Sequence, residues 1–200
     1  ILDGRDKAVY TSGGQYLSML FERSTALYGK TPSFHRISFE HRAFLLLDSL
    51  YSMHIGKDTI RKRLLKRNIE PISLPVTMAF RWSGGLLLPA EGGDGNIPFD
   101  DVFVLGGGND VRGWAPFRLG PYRCPDDVVC IQDGAQQSQD IIPMGGLLRV
   151  FGNLEARYYT PGGYGAVLFL DAGRVFATAQ DWNPESLEYS AGVGLRYKSS

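Results

Sequence analysis

Gly106-Gly107-Gly108-Asn109-Asp110-Val111-Arg112-Gly113-Trp114 sets one arginine inside a glycine turn, upstream of two alternating segments that each carry an isolated acid. Glu155 lies in the segment Leu148 to Tyr159 and Asp171 in Ala166 to Phe176, each on the side opposite the leucines. Glycine lets a backbone turn with positive φ and pass close to a wall. A guanidinium can fork onto a carboxylate through parallel hydrogen bonds. An arginine on a long loop, facing two acids on one sheet face, points to a loop tucked inside a barrel. The competing reading is a glycine-rich surface turn with an exposed arginine, and the surrounding segments weigh against it.

Six segments alternate with period two, each near the ~9–11 residues of a tilted transmembrane strand. In Gln15 to Arg23, Leu17, Met19 and Phe21 oppose Ser18 and Glu22. From Phe34 to Leu47, Ile37, Phe39, Ala43 and Leu45 oppose Arg36, Ser38, Glu40 and Arg42, with His41 breaking the apolar row. Pro75 to Gly85 sets Val76, Met78, Phe80 and Trp82 against Thr77, Ala79, Arg81 and Ser83. Leu148, Val150, Leu154, Ala156 and Tyr158 oppose Arg149, Asn153, Glu155 and Arg157. Leu168 and Leu170 alternate with Val167, Phe169 and Asp171, so this acid's face is mostly apolar. The last segment, Tyr189 to Lys198, sets Ala191, Val193, Leu195 and Tyr197 against Ser190, Gly192, Gly194 and Arg196.

A soluble antiparallel sheet with one wet face also alternates, so periodicity alone leaves a β-sandwich open. Aromatics decide between them. Trp82, Tyr158, Tyr159, Tyr164, Trp182, Tyr189 and Tyr197 gather toward the expected strand ends, where a bilayer interface favours amphipathic rings. Connections alternate short and long: Pro161-Gly162-Gly163 is a tight turn, while Thr25 to Ser33, Pro89 to Gly146 and Thr178 to Glu188 are long, the habit of outer-membrane barrels. The charge balance, Lys+Arg 21 against Asp+Glu 21, implies no electrostatic partner. The 25 glycines and 12% aromatics suit strands and tight turns. No apolar run approaches the ~18 residues of a membrane helix, so any spanning falls to strands. The chain opens on Ile1, which reads as processed or cut from something longer.

One connection departs from this scheme. Residues 48–74 carry Lys57, Arg61, Lys62, Arg63, Lys66 and Arg67 on the short-turn side. Asp58 or Thr59 could cap a helix with Ile60, Leu64 and Leu65 as its stripe and Pro71 beyond it. Such a basic helix would rest on anionic headgroups or dock a partner; a solvated insertion is the favoured alternative. Nucleic-acid binding is not expected, because no interleaved aromatics accompany the charges.

Where Val102-Phe103-Val104-Leu105-Gly106-Gly107-Gly108 runs into Val111-Arg112-Gly113-Trp114, the chain resembles the superfamily of outer-membrane insertases and transporters that includes BamA, TamA and the two-partner secretion translocators. The hallmark of that family is a long loop carrying Val-Arg-Gly and then Phe or Tyr, folded back into the barrel lumen; Trp114 stands at the aromatic position here. Gly93-Asp94-Gly95-Asn96-Ile97-Pro98-Phe99 and Arg118-Leu119-Gly120-Pro121 resemble the flanks of that loop. Asn153-Leu154-Glu155-Ala156-Arg157 and Leu168-Phe169-Leu170-Asp171-Ala172-Gly173-Arg174-Val175-Phe176 resemble the strands whose acids grip the loop arginine. The closing Ser190-Ala191-Gly192-Val193-Gly194-Leu195-Arg196-Tyr197 resembles the strand after them.

The resemblance implies an all-β fold: an antiparallel transmembrane β-barrel, present in part as about six strands of a larger barrel. Single-chain bacterial barrels begin at about eight strands, so this set is expected to leave two unpaired edges. Residues 1–200 read as one partial barrel domain, with 48–74 as a basic insertion and 89–146 as a long extracellular loop folded into the lumen. The expected site is a latch of Arg112, Glu155 and Asp171, with Gly106, Gly107, Gly108, Val111, Gly113 and Trp114 at the loop tip.

The function implied is folding and insertion of other β-barrel proteins in a Gram-negative outer membrane, without cofactor or metal. The alternative is a two-partner secretion pore that exports a polypeptide. Expected partners are the lipid bilayer, unfolded barrel clients and accessory assembly proteins. Cys124 and Cys130 lie in the same loop, on what should be the oxidising exterior, and form a candidate disulfide worth about 2–3 kcal/mol in the entropic model; a pair of free thiols is the alternative. Enzymatic motifs are lacking: the glycine run has no Gly-Lys-Ser/Thr ending and no Gly-x-Ser-x-Gly elbow occurs. No enzyme activity is expected.

Overall fold

The computed structural model describes residues 1–7, 10–25, 33–47, 76–90, 97–123 and 142–197. The interval 48–74, the segment 93–96 and both cysteines therefore lie outside the described residues. In chain order the strands are β1 (Leu2–Asp3), β2 (Gly14–Ser24), β3 (Phe34–Leu46), β4 (Val76–Pro89), β5 (Tyr122–Arg123), β6 (Ile142–Pro143), β7 (Leu148–Tyr159), β8 (Tyr164–Phe176) and β9 (Glu188–Tyr197). Seven of them form one sheet in the order β1-β2-β3-β4-β7-β8-β9, antiparallel throughout, and β5 and β6 pair separately within the long connection. Among the described residues there is no α-helix long and apolar enough to cross a membrane.

The meander has two ends. The connections 25–33, 90–147 and 177–187 leave from one, here called the loop end. The other, the turn end, holds residues 4–7, residues 10–13 and the turn 160–163, where Thr160 N–H donates to Tyr164 O (2.8 Å) and Gly163 N–H to Thr160 O (3.0 Å).

Register lines up one apolar and one polar face, because side chains alternate and a one-residue slip would exchange them. On one face the row Met78, Ala156, Leu168 and Val193 crosses four strands, and the row Phe80, Leu154, Leu170 and Ala191 lies beside it. This face stays uncovered: Met19, Phe21, Leu168, Val193 and Leu195 are all exposed. The opposite face carries the row Tyr16, Arg42, Arg81, Asn153, Asp171 and Ser190. The usual arrangement is thus inverted, with charges sheltered and apolar side chains facing out, as for a barrel wall in lipid.

Two details differ from the sequence expectation. β4 runs on to Pro89 rather than stopping near Gly85, because Leu87 turns onto the polar face and is buried at 1% exposure while Leu88 turns out. Trp82 consequently sits in the middle of β4, opposite His41, and not at a strand end. His41 itself stays on the apolar face, where its Nε2 lies 3.3 Å from Gln15 Oε1.

The best-buried cluster lies between this sheet and the long connection. Leu105, Val111 and Leu119 from the connection pack with Phe151 of β7 and Val175 of β8, flanked by Phe103 and Trp114. Backbone bonds fix the connection to the wall: Phe103 and Gly146 exchange a pair at 3.0 Å, and Val175 N–H donates to Leu119 O at 2.9 Å. That last bond falls where β8 extends past the end of its pairing with β9, so the connection satisfies an otherwise open edge.

Candidate functional site

The site is assembled from three neighbouring strands and the tip of the long connection. Sheet register sets Asn153 of β7 directly opposite Asp171 of β8, and Glu155 opposite Phe169. Phe169 in turn lies opposite Gly192 of β9. A Cβ at Gly192 would fall 2.6 Å from the Phe169 ring, so the glycine is what lets that ring lie flat on the wall. The two acids are diagonal neighbours, about 7–8 Å apart by backbone position, a gap that one guanidinium can bridge.

Arg112 bridges it. Its Nε donates to Asp171 Oδ2 at 2.7 Å and one Nη to Asp171 Oδ1 at 2.7 Å, the forked geometry, while the other Nη reaches Glu155 Oε1 at 2.6 Å. The backbone N–H of Arg112 also donates to Asp171 Oδ2, at 3.0 Å. The guanidinium carbon stands 3.6 Å from the centre of the Phe169 ring, adding a cation–π attraction of about 0.5–2 kcal/mol. Burial disfavours the charged guanidinium, but hydrogen bonds to Asp171 and Glu155 outweigh it and lift its pKa above the ordinary arginine value.

Both acids are sheltered: Asp171 is 0% exposed and Glu155 4%. Asn153 Nδ2 donates to Asp171 as well. Glu155 is shared among three arginines, accepting from Arg157 Nε at 2.7 Å and from an Nη of Arg196 at 3.1 Å in addition to Arg112. A buried carboxylate with a complete set of donors is well satisfied, and removing one partner leaves the other uncompensated, typically at about 3–5 kcal/mol.

The tip is shaped by its glycines and by one buried apolar residue. Gly106 adopts φ 117° and Gly113 φ 86°, conformations open to glycine and strained for other residues. Gly107 is also in that region, whereas Gly108 is not, and a Cβ there would meet nothing. Val111, fully buried, anchors the tip in the apolar cluster beside the arginine. Trp114 packs on the same cluster and donates from Nε1 to Tyr189 O at 3.3 Å. Three more wall arginines hold the connection: Arg81 to Asn109 O at 2.9 Å, Arg149 to Asp110 at 3.1 Å, and Arg36 to Asp101.

The structure thus brings Arg112, Glu155 and Asp171 into contact. Sequence reasoning did not include Asn153, Phe169, Arg157, Arg196 or Gly192 in the site. A signal existed, since each lies on the same face as an acid or on the neighbouring strand, but it becomes legible only when strand register is known.

Below the tip, toward the turn end, is an open cavity of about 860 Å³. Its roof is Gly108, Asn109, Asp110 and Arg112, and its rim includes Tyr10, Ser12, Tyr159 and Tyr197.

A family model described as the Omp85 superfamily domain matches residues 1–200. No curated protein matches the chain. Among solved structures, the crystal structure of BamA from Haemophilus ducreyi lacking POTRA domains 1-3 matches with a TM-score of 0.65 at 14% sequence identity, over 98% of this chain. The chain spans 35% of the length of that structure's chain. At this identity the likeness speaks to the fold alone.

Proposed function

The chain belongs to the Omp85 superfamily, and from that premise we propose that it forms part of a Gram-negative outer-membrane barrel that folds and inserts other β-barrel proteins. The observation that carries the reading is the seating of Arg112 on Asp171 and Glu155. Such a buried, multiply bonded contact suits a machine that must open one flank to a client and keep the other rigid.

The proposed mechanism is mechanical and electrostatic. The connection closes the lumen on this side, and the latch ties it to the middle of β7 and β8, so that these strands and the loop move as one block. Strain imposed by an entering client strand then concentrates elsewhere in the barrel wall. The bilayer receives the apolar face, and unfolded barrel polypeptides are the clients.

The test is reconstitution of the full-length protein in liposomes, with an unfolded barrel client added and its folding followed by heat-modifiable gel mobility. Faster client folding than in empty liposomes is expected, with a marked loss in Arg112→Met once that variant is shown to be folded itself. Transport of client into the liposome interior without insertion would instead establish the secretion-pore reading and overturn this one.

A further inference from the structure

The cavity beneath the loop tip has a charge imbalance that the latch does not use. Besides Arg112, its lining carries Arg5, Lys7, Arg42, Arg81, Arg157 and Arg196 against Asp110 and Glu155. Three of these cations have hydrogen-bonding capacity to spare. Arg42 touches Glu40 and Arg157 touches Glu155 through Nε alone, and Arg196 reaches Glu155 through one Nη. Among the described residues, then, both terminal nitrogens of Arg42 and of Arg157, and one of Arg196, have no hydrogen-bond partner. Their side chains are 40%, 21% and 35% exposed. Each guanidinium is held by a wall carboxylate, Arg42 and Arg157 through Nε and Arg196 through one Nη, and all three line the cavity.

We propose that this cavity is a binding site for an acidic peptide segment, its carboxylates forked by Arg42 and Arg157 and bonded singly by Arg196. Forked recognition of carboxylates is what a pre-held guanidinium edge does best. The volume, about 860 Å³, falls within the usual range of ligand sites and holds several residues of extended chain. Tyr10, Tyr159 and Tyr197 on the rim supply rings against which side chains can pack. A lipid is disfavoured because the cavity opens on the polar face of the sheet, opposite the exposed apolar face, and carries more cationic side chains than a single headgroup would engage. That the partner is a polypeptide rests on the function proposed above; peptide binding is measured without any insertion assay, so failure of one is distinguishable from failure of the other.

The experiment uses the full-length protein in detergent and a fluorescein-labelled octamer of glutamate, with the glutamine octamer as its uncharged match. The glutamate peptide is expected to bind and the glutamine peptide not, with affinity falling as salt rises. Combining Arg42→Gln and Arg157→Gln should weaken binding about tenfold, equivalent to about 1.4 kcal/mol, while Arg157→Lys restores part of it. Arg23→Gln, outside the cavity, should leave binding unchanged. If the double variant fails the gel-mobility test of folding, Arg42→Gln alone is read and should still weaken binding measurably. Equal binding of the two peptides, insensitivity to Arg42→Gln, or displacement of the peptide by equimolar inorganic phosphate or glycerophosphate would overturn the proposal.

Discussion

At the scale of single residues the two acids of the latch are not equivalent, and their substitution should separate them. Asp171 accepts from three nitrogens of Arg112 and from Asn153 with no solvent exposure. Asp171→Asn strands Arg112 against the wall and is expected to cost about 3–5 kcal/mol. Glu155→Gln leaves Arg112 its fork on Asp171, and Arg157 and Arg196 are partly exposed and can rehydrate; about 1–3 kcal/mol is expected, as for an ordinary hydrogen bond to a charged group. Urea unfolding of the full-length protein in liposomes, followed by tryptophan fluorescence, gives the order directly. Gly192→Ala should also act on the latch from a distance, tilting the Phe169 ring from beneath the guanidinium at about 1–3 kcal/mol, as overpacking does. At the turn end, Asp6 accepts from Ser12 Oγ and from the backbone N–H groups of Ser12 and Lys7. The Ser12 hydroxyl, more than the backbone donors, brings its pKa down to about 2. Because the folded-state value lies below the unfolded one, the contribution of Asp6 is present above the ordinary aspartate range and fades as pH falls toward about 2. The protection of the Ser12 N–H, its exchange measured against the intrinsic rate at each pH, should persist at pH 4 and be lost near pH 2; unchanged protection across that window would contradict the assignment.

At the scale of elements, alternation alone places both faces of β2, β3, β7 and β9 correctly, because a strand with one sheltered face is forced to repeat every second residue. It gives β4 too short, since Gly84-Gly85 and the Leu86-Leu87-Leu88 run read as an end when the packing of Leu87 beneath the loop is unknown. The apolar inner face of β8 looked anomalous from sequence for the same kind of reason. Val167 is buried at 4% exposure and Phe169 supports a guanidinium, so both are inner-wall residues with specific neighbours on β9. The exposed face yields a test of the membrane reading. Val193, 78% exposed near the middle of β9, should tolerate arginine if it faces water. In a bilayer Val193→Arg should destabilise by about 2–4 kcal/mol, the depth-dependent cost of a lipid-facing charge. Comparing urea unfolding in bilayers and in detergent separates the two: a loss seen only in bilayers supports lipid contact, and no loss in either contradicts it.

At the scale of the whole molecule the described chain is a sheet whose driving core lies on its polar side, where the returning connection packs Leu105, Val111 and Leu119 against Phe151 and Val175. The existence of a latch was legible from one arginine, two acids and a glycine turn. Its completion by Asn153, Phe169, Arg157 and Arg196 was not, because those positions acquire their role only through pairings between strands distant in sequence. Loop, core and latch stand or fall together in this account, and a double-mutant cycle between Arg112→Met and Asp171→Asn, read by urea unfolding of the full-length protein in liposomes, decides whether they do. A coupling of about 1–3 kcal/mol is expected, the double variant being less damaged than the sum of the singles because neither partner is then left alone. Additivity within about 0.5 kcal/mol would mean that the two residues do not hold one another, and that the loop is kept in place by something else.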